Sequence, residues 1–123
     1  MIKTIFEQTE RSPLVTFDGG ELVIKGRSFM DNAADFYRNL VAHIANLGAD
    51  GFAVSVCLDY FNTSSSKCLL ELFRAFEKMN KEGKNYSVKW YFEENCPEIE
   101  EAGEDYKDLM TEVLPFDIVC IEN

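Results

Sequence analysis

A chain of 123 residues with 46% apolar and 13% aromatic side chains can bury one core but not two, and its ten Phe exclude a disordered polymer. The formal net charge of −10 repels phosphate backbones, which excludes nucleic acid as a partner class and favours a basic protein surface. No apolar run approaches the roughly 20 residues of a membrane span and no signal-peptide pattern follows Met1-Ile2-Lys3, so the sequence predicts a cytosolic protein with one domain over 1–123 and no membrane contact.

Short β-prone runs occupy Thr4 to Glu7 and Leu14 to Phe17. Asp18-Gly19-Gly20 followed by Leu22-Val23-Ile24 is a hairpin signal, because glycine takes positive φ freely, and it predicts an antiparallel pair of roughly 13–17 with 21–26. Gly26 then releases the chain toward a helix that Asp31 or Asn32 can cap, with Asp35 completing a capping-box pattern. Phe36, Leu40, Ile44 and Leu47 fall on one face of that helix, supported by Tyr37 and Val41, and Gly48 ends it.

From Phe52 to Leu58, apolar Phe52, Val54, Val56 and Leu58 alternate with Ala53, Ser55 and Cys57, the pattern of an interior strand covered on each side. A second helical stripe, Leu69, Leu72, Phe73, Phe76 and Met79, closes with Lys81-Glu82-Gly83-Lys84, where basic residues and a glycine suit a helix C-terminus. Tyr86 to Phe92 alternates as another strand, and connections this short between strand, helix and strand imply a parallel crossover. Pro97 opens a third helix with a buried face of Ile99, Ala102, Tyr106, Leu109, Met110 and Val113; Pro115 closes it before a last strand, Asp117 to Ile121. The order β-β-α-β-α-β-α-β, with room for one more N-terminal strand, specifies an α/β fold: a mixed sheet covered by helices, with an N-terminal β-hairpin.

The acidic run of Glu93, Glu94, Glu98, Glu100, Glu101, Glu104 and Asp105 lacks calcium-loop spacing and reads as a solvated helix face rather than a metal site. Cys57, Cys68, Cys96 and Cys120 stand far apart and read as small residues of a reducing compartment. His43, the only histidine, has no Ser or Cys placed beside it by a recognisable motif, and no phosphate-cradling glycine loop occurs. No cofactor is implied. A nucleophile at Ser64 or Cys68 near a helix start is the enzyme alternative, with no general base placed for it.

The most informative stretch is Leu58 to Lys67, where the strand pattern stops and the helical one begins. Asn62, Thr63, Ser64 and Ser65 all have side-chain oxygens able to cap the orphan N–H groups of a helix start, so one of them is expected there for structural reasons alone. Lys67 sits poorly with the positive end of the helix dipole, yet lies four residues after Thr63, near where an anion on that hydroxyl would be.

This stretch, Leu58-Asp59-Tyr60-Phe61-Asn62-Thr63-Ser64-Ser65-Ser66-Lys67, resembles the central motif of the SiaC-type bacterial regulatory phosphoproteins, small relatives of the STAS-fold anti-sigma-factor antagonists. The resemblance continues in Trp90-Tyr91-Phe92, in Glu101-Ala102-Gly103-Glu104-Asp105-Tyr106 and in Pro115-Phe116, nearly the whole chain. The more distant STAS regulators carry Asp-Ser-Ser-Gly at the junction, where this chain has Asn62 for the Asp and Ser65 for the Gly.

The resemblance implies a STAS-like fold and a non-enzymatic, partner-switching protein phosphorylated on Thr63. A kinase with a histidine-kinase-like ATPase fold would add the phosphate, a PP2C-type phosphatase would remove it, and the unphosphorylated form would bind and activate a diguanylate cyclase. Tyr60, Asn62, Ser64, Ser65 and Lys67 are then the expected partner-binding residues around Thr63. A STAS-like module of the anti-sigma-factor-antagonist type, or one that senses a ligand without phosphorylation, is the alternative binding function.

Overall fold

The computed structural model describes residues 2–47 and 50–122. Its elements run β1 (Lys3–Phe6), β2 (Leu14–Phe17), β3 (Glu21–Ser28), α1 (Ala33–Asn46), β4 (Ala53–Phe61), α2 (Thr63–Lys81), β5 (Ser87–Glu93), α3 (Pro97–Leu109) and β6 (Phe116–Ile121). The strands form one six-stranded sheet in the order β1-β2-β3-β4-β5-β6. β1, β2 and β3 pair antiparallel, whereas β3 through β6 pair parallel, each parallel step bridged by a helix. The expected mixed sheet, N-terminal hairpin and additional first strand are all present.

The hairpin turns on Asp18, whose carboxylate accepts from the N–H groups of Gly20 (3.0 Å) and Glu21 (2.8 Å) while Gly19 adopts a φ of 98°. Gly26 does not end the strand as expected. It lies inside β3 with a φ of 122°, where a Cβ would press on the Gln8 side chain, and β3 continues to Ser28.

Register fixes which side chains form the core. Leu22, Val54, Val88 and Phe116 stand in one row across the parallel strands, with Ile24, Val56 and Trp90 in the row beyond. Residues of all three described helices, including Leu40, Ile44, Leu69, Phe73, Phe76, Ile99 and Tyr106, share one apolar cluster with these rows. On the opposite face Lys25, Asp59, Lys89 and Asp117 are exposed, and Ala53 and Cys57 only half-buried. β4 is therefore not covered by helices on each side as its alternation suggested; small residues flanked by β3 and β5 are shielded by neighbouring strands alone. Ser55 is buried on that face because its hydroxyl is bonded to the Glu21 carboxylate.

The helix ends depart from the sequence reading at the start of α1 and in α3. Asn32 stands at the start of α1, but its side chain makes no cap, so the capping-box expectation with Asp35 fails. Leu47 terminates α1, and Gly48, expected to end it, lies outside the described residues. α3 stops at Leu109, which is 50% exposed rather than part of the buried face; Gly103, not Leu109, meets the core.

Periodicity also missed Glu77, 5% exposed in the middle of the apolar stripe of α2. One carboxylate oxygen accepts from the Thr111 N–H (2.7 Å) and the other from Arg74 (3.2 Å), and Arg74 in turn reaches the Leu109 carbonyl (3.1 Å). These bonds fasten the α3–β6 connection to α2. Burial alone would raise the Glu77 carboxyl, but the Thr111 and Arg74 bonds outweigh it and hold the group below its ordinary value of 4.5. A depressed folded-state pKa adds stability above the unfolded value and loses it as pH falls through the folded one. Glu77→Gln should therefore cost about 2 kcal/mol near pH 7, and the gap to the parent should narrow below about pH 4.5, as read from urea midpoints across pH.

Candidate functional site

The junction between β4 and α2 is built by an irregularity in the sheet. Gly26 pairs with Leu58, but Arg27 pairs with Tyr60 and Ser28 with Phe61, so β4 carries one extra residue, Asp59, at its end. A bulge of this kind shifts the side-chain alternation by one. Leu58 and Phe61 consequently both serve the core side, Phe61 with its ring 5.8 Å from that of Trp90. Tyr60 is turned outward, 51% exposed, against the ring of Phe29 at 5.7 Å. The Asn62 N–H donates to the Ser28 carbonyl (3.1 Å), holding the end of β4 against β3 up to the helix.

Asn62 is the N-cap of α2. Its backbone is extended, its side-chain oxygen accepts from the Ser65 N–H (2.9 Å), and its carbonyl accepts from the Ser66 N–H (2.9 Å). Thr63 is thus the first helical residue, and both Thr63 and Ser64 are exposed. Lys67 is exposed one turn further on. Among the described helices, α2 alone has no acidic residue in its first turn; α1 has Asp35, and α3 has Glu98 and Glu100.

Ser65 and Ser66 are different in kind from their neighbours. Ser65 is 0% exposed and cannot touch a partner, which corrects its expected place among the contact residues. Its hydroxyl accepts from that of Ser28 (2.8 Å), which lies 2.8 Å from the Tyr37 hydroxyl, and the Met30 sulfur is 3.9 Å from Ser65. The Ser28 hydroxyl also lies 3.8 Å from the Met30 sulfur, so its one hydrogen has both Ser65 and Met30 as acceptors and the four groups form a branched cluster. Burial pushes the Tyr37 phenol far above its ordinary value, so it is a neutral donor at physiological pH.

Ser66 is held from the other side. The Tyr106 hydroxyl donates to the Ser66 carbonyl (2.8 Å) and lies 3.0 Å from the Ser66 hydroxyl. Tyr106 reaches this far because α3 lies directly on Trp90: a Cβ on Gly103 would overlap the indole ring, whose N–H donates to the Ile99 carbonyl (2.8 Å). Sequence reasoning assigned Tyr106 to the apolar face by period and gave no polar role to its hydroxyl. Ser28, Tyr37 and Phe29 were missed as site residues, since no local spacing joins them to residue 63.

The same geometry bears on the other candidates. Cys68 is buried, and burial, with Glu71 nearby, raises its thiol rather than lowering it, the opposite of what a nucleophile needs. His43 is exposed on α1 with its ring 5.3 Å from that of Phe6. Among the described residues no three His, Cys, Asp or Glu side chains gather in a way that could hold a metal ion, and no helix is long and apolar enough to cross a membrane.

The family described as SiaC family regulatory phosphoprotein matches residues 6–121. An uncharacterized protein of Pseudomonas aeruginosa strain UCBPP-PA14 is 23% identical over 105 residues, which is 81% of this chain and 83% of that protein. Among solved structures, a chain in the complex of the diguanylate cyclase SiaD with its activator SiaC, from Pseudomonas aeruginosa, is similar with a TM-score of 0.81 and 20% identity over 93% of this chain and 96% of the other. Apo-SiaC from the same organism is similar with a TM-score of 0.80 and 20% identity over 95% and 98% of the two chains.

Asn62→Ala removes the cap and should lower stability by about 1 kcal/mol, seen as a lower urea midpoint and faster hydrogen exchange at the Ser65 amide. Asn62→Asp keeps an acceptor at that position and should restore both.

Proposed function

Because this chain belongs to the SiaC family of regulatory phosphoproteins, we propose that it works through a protein contact at the β4–α2 junction, switched by reversible phosphorylation of Thr63. The unphosphorylated form binds and activates a diguanylate cyclase, which makes the chain a regulator of c-di-GMP signalling. A kinase with a histidine-kinase-like ATPase fold adds the phosphate and a PP2C-type phosphatase removes it. The protein acts in the cytoplasm as one regulatory domain over 1–123 and has no catalysis of its own. Support for the partner class comes from the similar fold of SiaC, described as the activator of SiaD in their complex.

The chief support for Thr63 is its exposure at the first position of a helix whose opening turn holds no acid, while Ser65 and Ser66 are tied into the fold. A phosphate there adds roughly −1.5 to −2 charge and three acceptor oxygens. The orphan N–H groups and the helix dipole accommodate such an anion, and Lys67 adds a cation one turn on. The phosphorylated protein therefore stays folded. The effect falls on the bound state: a partner packed on Tyr60, Asn62, Thr63 and Ser64 would have to desolvate a dianion, which ejects it.

Thr63→Ala should bind the cyclase like the parent and resist the kinase, whereas Thr63→Glu should lose at least about tenfold in affinity, or 1.4 kcal/mol. Titration calorimetry with both variants checks this, and equal affinities would refute the switch. Lys67→Ala should lower the melting temperature of the phosphorylated form more than that of the unphosphorylated one, by the equivalent of about 0.5 kcal/mol. Matching shifts in the two forms would remove Lys67 from the phosphate site.

A further inference from the structure

We infer that the crevice where β4 and β5 part at their carboxyl ends binds a small apolar α-amino acid, with Arg27 taking its carboxylate, Asp59 and Glu93 its ammonium group, and Leu58 and Ile99 its side chain. This site stands apart from the proposed switch at Thr63 and does not depend on it.

The crevice comes from a split in the sheet. β4 and β5 pair from Ala53 with Ser87 only as far as Val56 with Trp90, although β3 and β4 stay paired to Ser28 and Phe61, and β5 and β6 to Glu93 and Ile121. Beyond Val56 and Trp90 the facing edges of β4 and β5 share no ladder, and the bulge places its extra residue, Asp59, on the β4 side of the opening. Between the parted strands and the start of α3 lies a cavity of about 230 Å³ lined by Arg27, Leu58, Asp59, Glu93, Cys96 and Ile99. In open α/β sheets, ligands sit in crevices outside the carboxyl ends of the strands.

Size and lining together select the ligand. The volume falls below the ~300 Å³ at which sites for drug-sized ligands begin, which limits the occupant to a metabolite of amino-acid size. Leu58 and Ile99, both buried, give the cavity an apolar floor. Its charged walls come from three neighbouring strands: Arg27 from β3, Asp59 from β4 and Glu93 from β5. Among the described residues, none of these three is ion-paired. The two carboxylates act on one place: burial raises the Cys57 thiol, Lys25 opposes the rise, and the charges of Asp59 and Glu93 both add to it. A simple cation would meet Arg27 there and a simple anion would meet two carboxylates, whereas a zwitterion gives each sign its counterpart. A guanidinium donates two parallel N–H bonds to a carboxylate, and an ammonium group has three donors to share between two carboxylates. An apolar side chain on the same carbon atom then covers the floor.

The test titrates L-leucine into the unphosphorylated full chain and follows its backbone amide resonances, with circular dichroism melts as the folding control. Saturable shifts are expected from Leu58 to Phe61 and from Glu93 to Ile99, with half-saturation below about 10 mM. Leucinamide, which lacks the carboxylate, and N-acetylleucine, which lacks the ammonium group, should each bind at least tenfold more weakly. Arg27→Ala should weaken leucine binding tenfold or more, as should Asp59→Asn combined with Glu93→Gln. Lys25→Ala, at a position that does not line the cavity, should change it less than twofold. Because Arg27 is exposed, its variant folds even where the double variant does not. Absence of saturable shifts up to about 10 mM leucine overturns the site, as does parent-like binding by Arg27→Ala. Equal binding of leucinamide or N-acetylleucine overturns recognition of a zwitterion. Shifts at the same amides from an acetylated and amidated Val-Leu-Val peptide, with none from leucine, overturn the assignment by giving the crevice to an extended strand. Cyclase binding by Thr63→Ala and Thr63→Glu is read separately, so the crevice and the switch fail independently.

Discussion

Ser65 is a fully buried hydroxyl in the first turn of a helix, and the need to satisfy it organises the end of the molecule where the candidate site lies. An unpaired hydroxyl in that position would cost on the order of 1–3 kcal/mol. The cluster of the Tyr37, Ser28 and Ser65 hydroxyls with the Met30 sulfur removes that cost, and in doing so ties α1, β3 and α2 to one another. Ser28 contributes twice, its carbonyl receiving the Asn62 N–H while its hydroxyl serves the cluster. The opening of α2 is thereby set relative to the sheet before Thr63 is reached.

A second tie acts from the opposite flank. Gly103 lets α3 lie against the Trp90 indole, and the short approach brings the Tyr106 hydroxyl to the Ser66 carbonyl. Gripped at Ser65 and at Ser66, the first turn of α2 has little freedom, while Thr63 and Ser64 just before it remain open to solvent. Modification of a hydroxyl on such a fixed platform changes the charge of a surface without requiring the fold beneath it to move. The same rigidity extends through the bulge at Asp59 to Tyr60 and Phe29, so that the aromatic pair and the helix start keep one relative position.

Electrostatics complete the site. The chain is strongly acidic, yet the first turn of α2 has no acid, whereas the first turns of α1 and α3 do. Acids there would stabilise the helix through its dipole. Their absence leaves that favourable field unused at the one helix start that follows the resembling motif.

The sequence by itself determined the elements and their order, because apolar spacing of two or of three to four residues is a local property that needs no partner to be read. It marked the β4–α2 junction, its run of capping residues and the placement of Lys67, and the likeness of its motif identified the family. It assigned one continuous apolar face to α3 and two-sided cover to β4, and both fail because burial depends on what packs opposite. Leu109 is past the core, and the described helices all pack on the other face of the sheet. Only the tertiary structure distinguished the four hydroxyl or amide side chains of the junction, making Asn62 a cap, Ser65 a buried anchor, and Thr63 and Ser64 surface groups. That sorting rests on an extra residue in β4 and on hydroxyl partners at positions 28, 37 and 106, which come from other elements of the fold and leave no trace in the local spacing around residue 63.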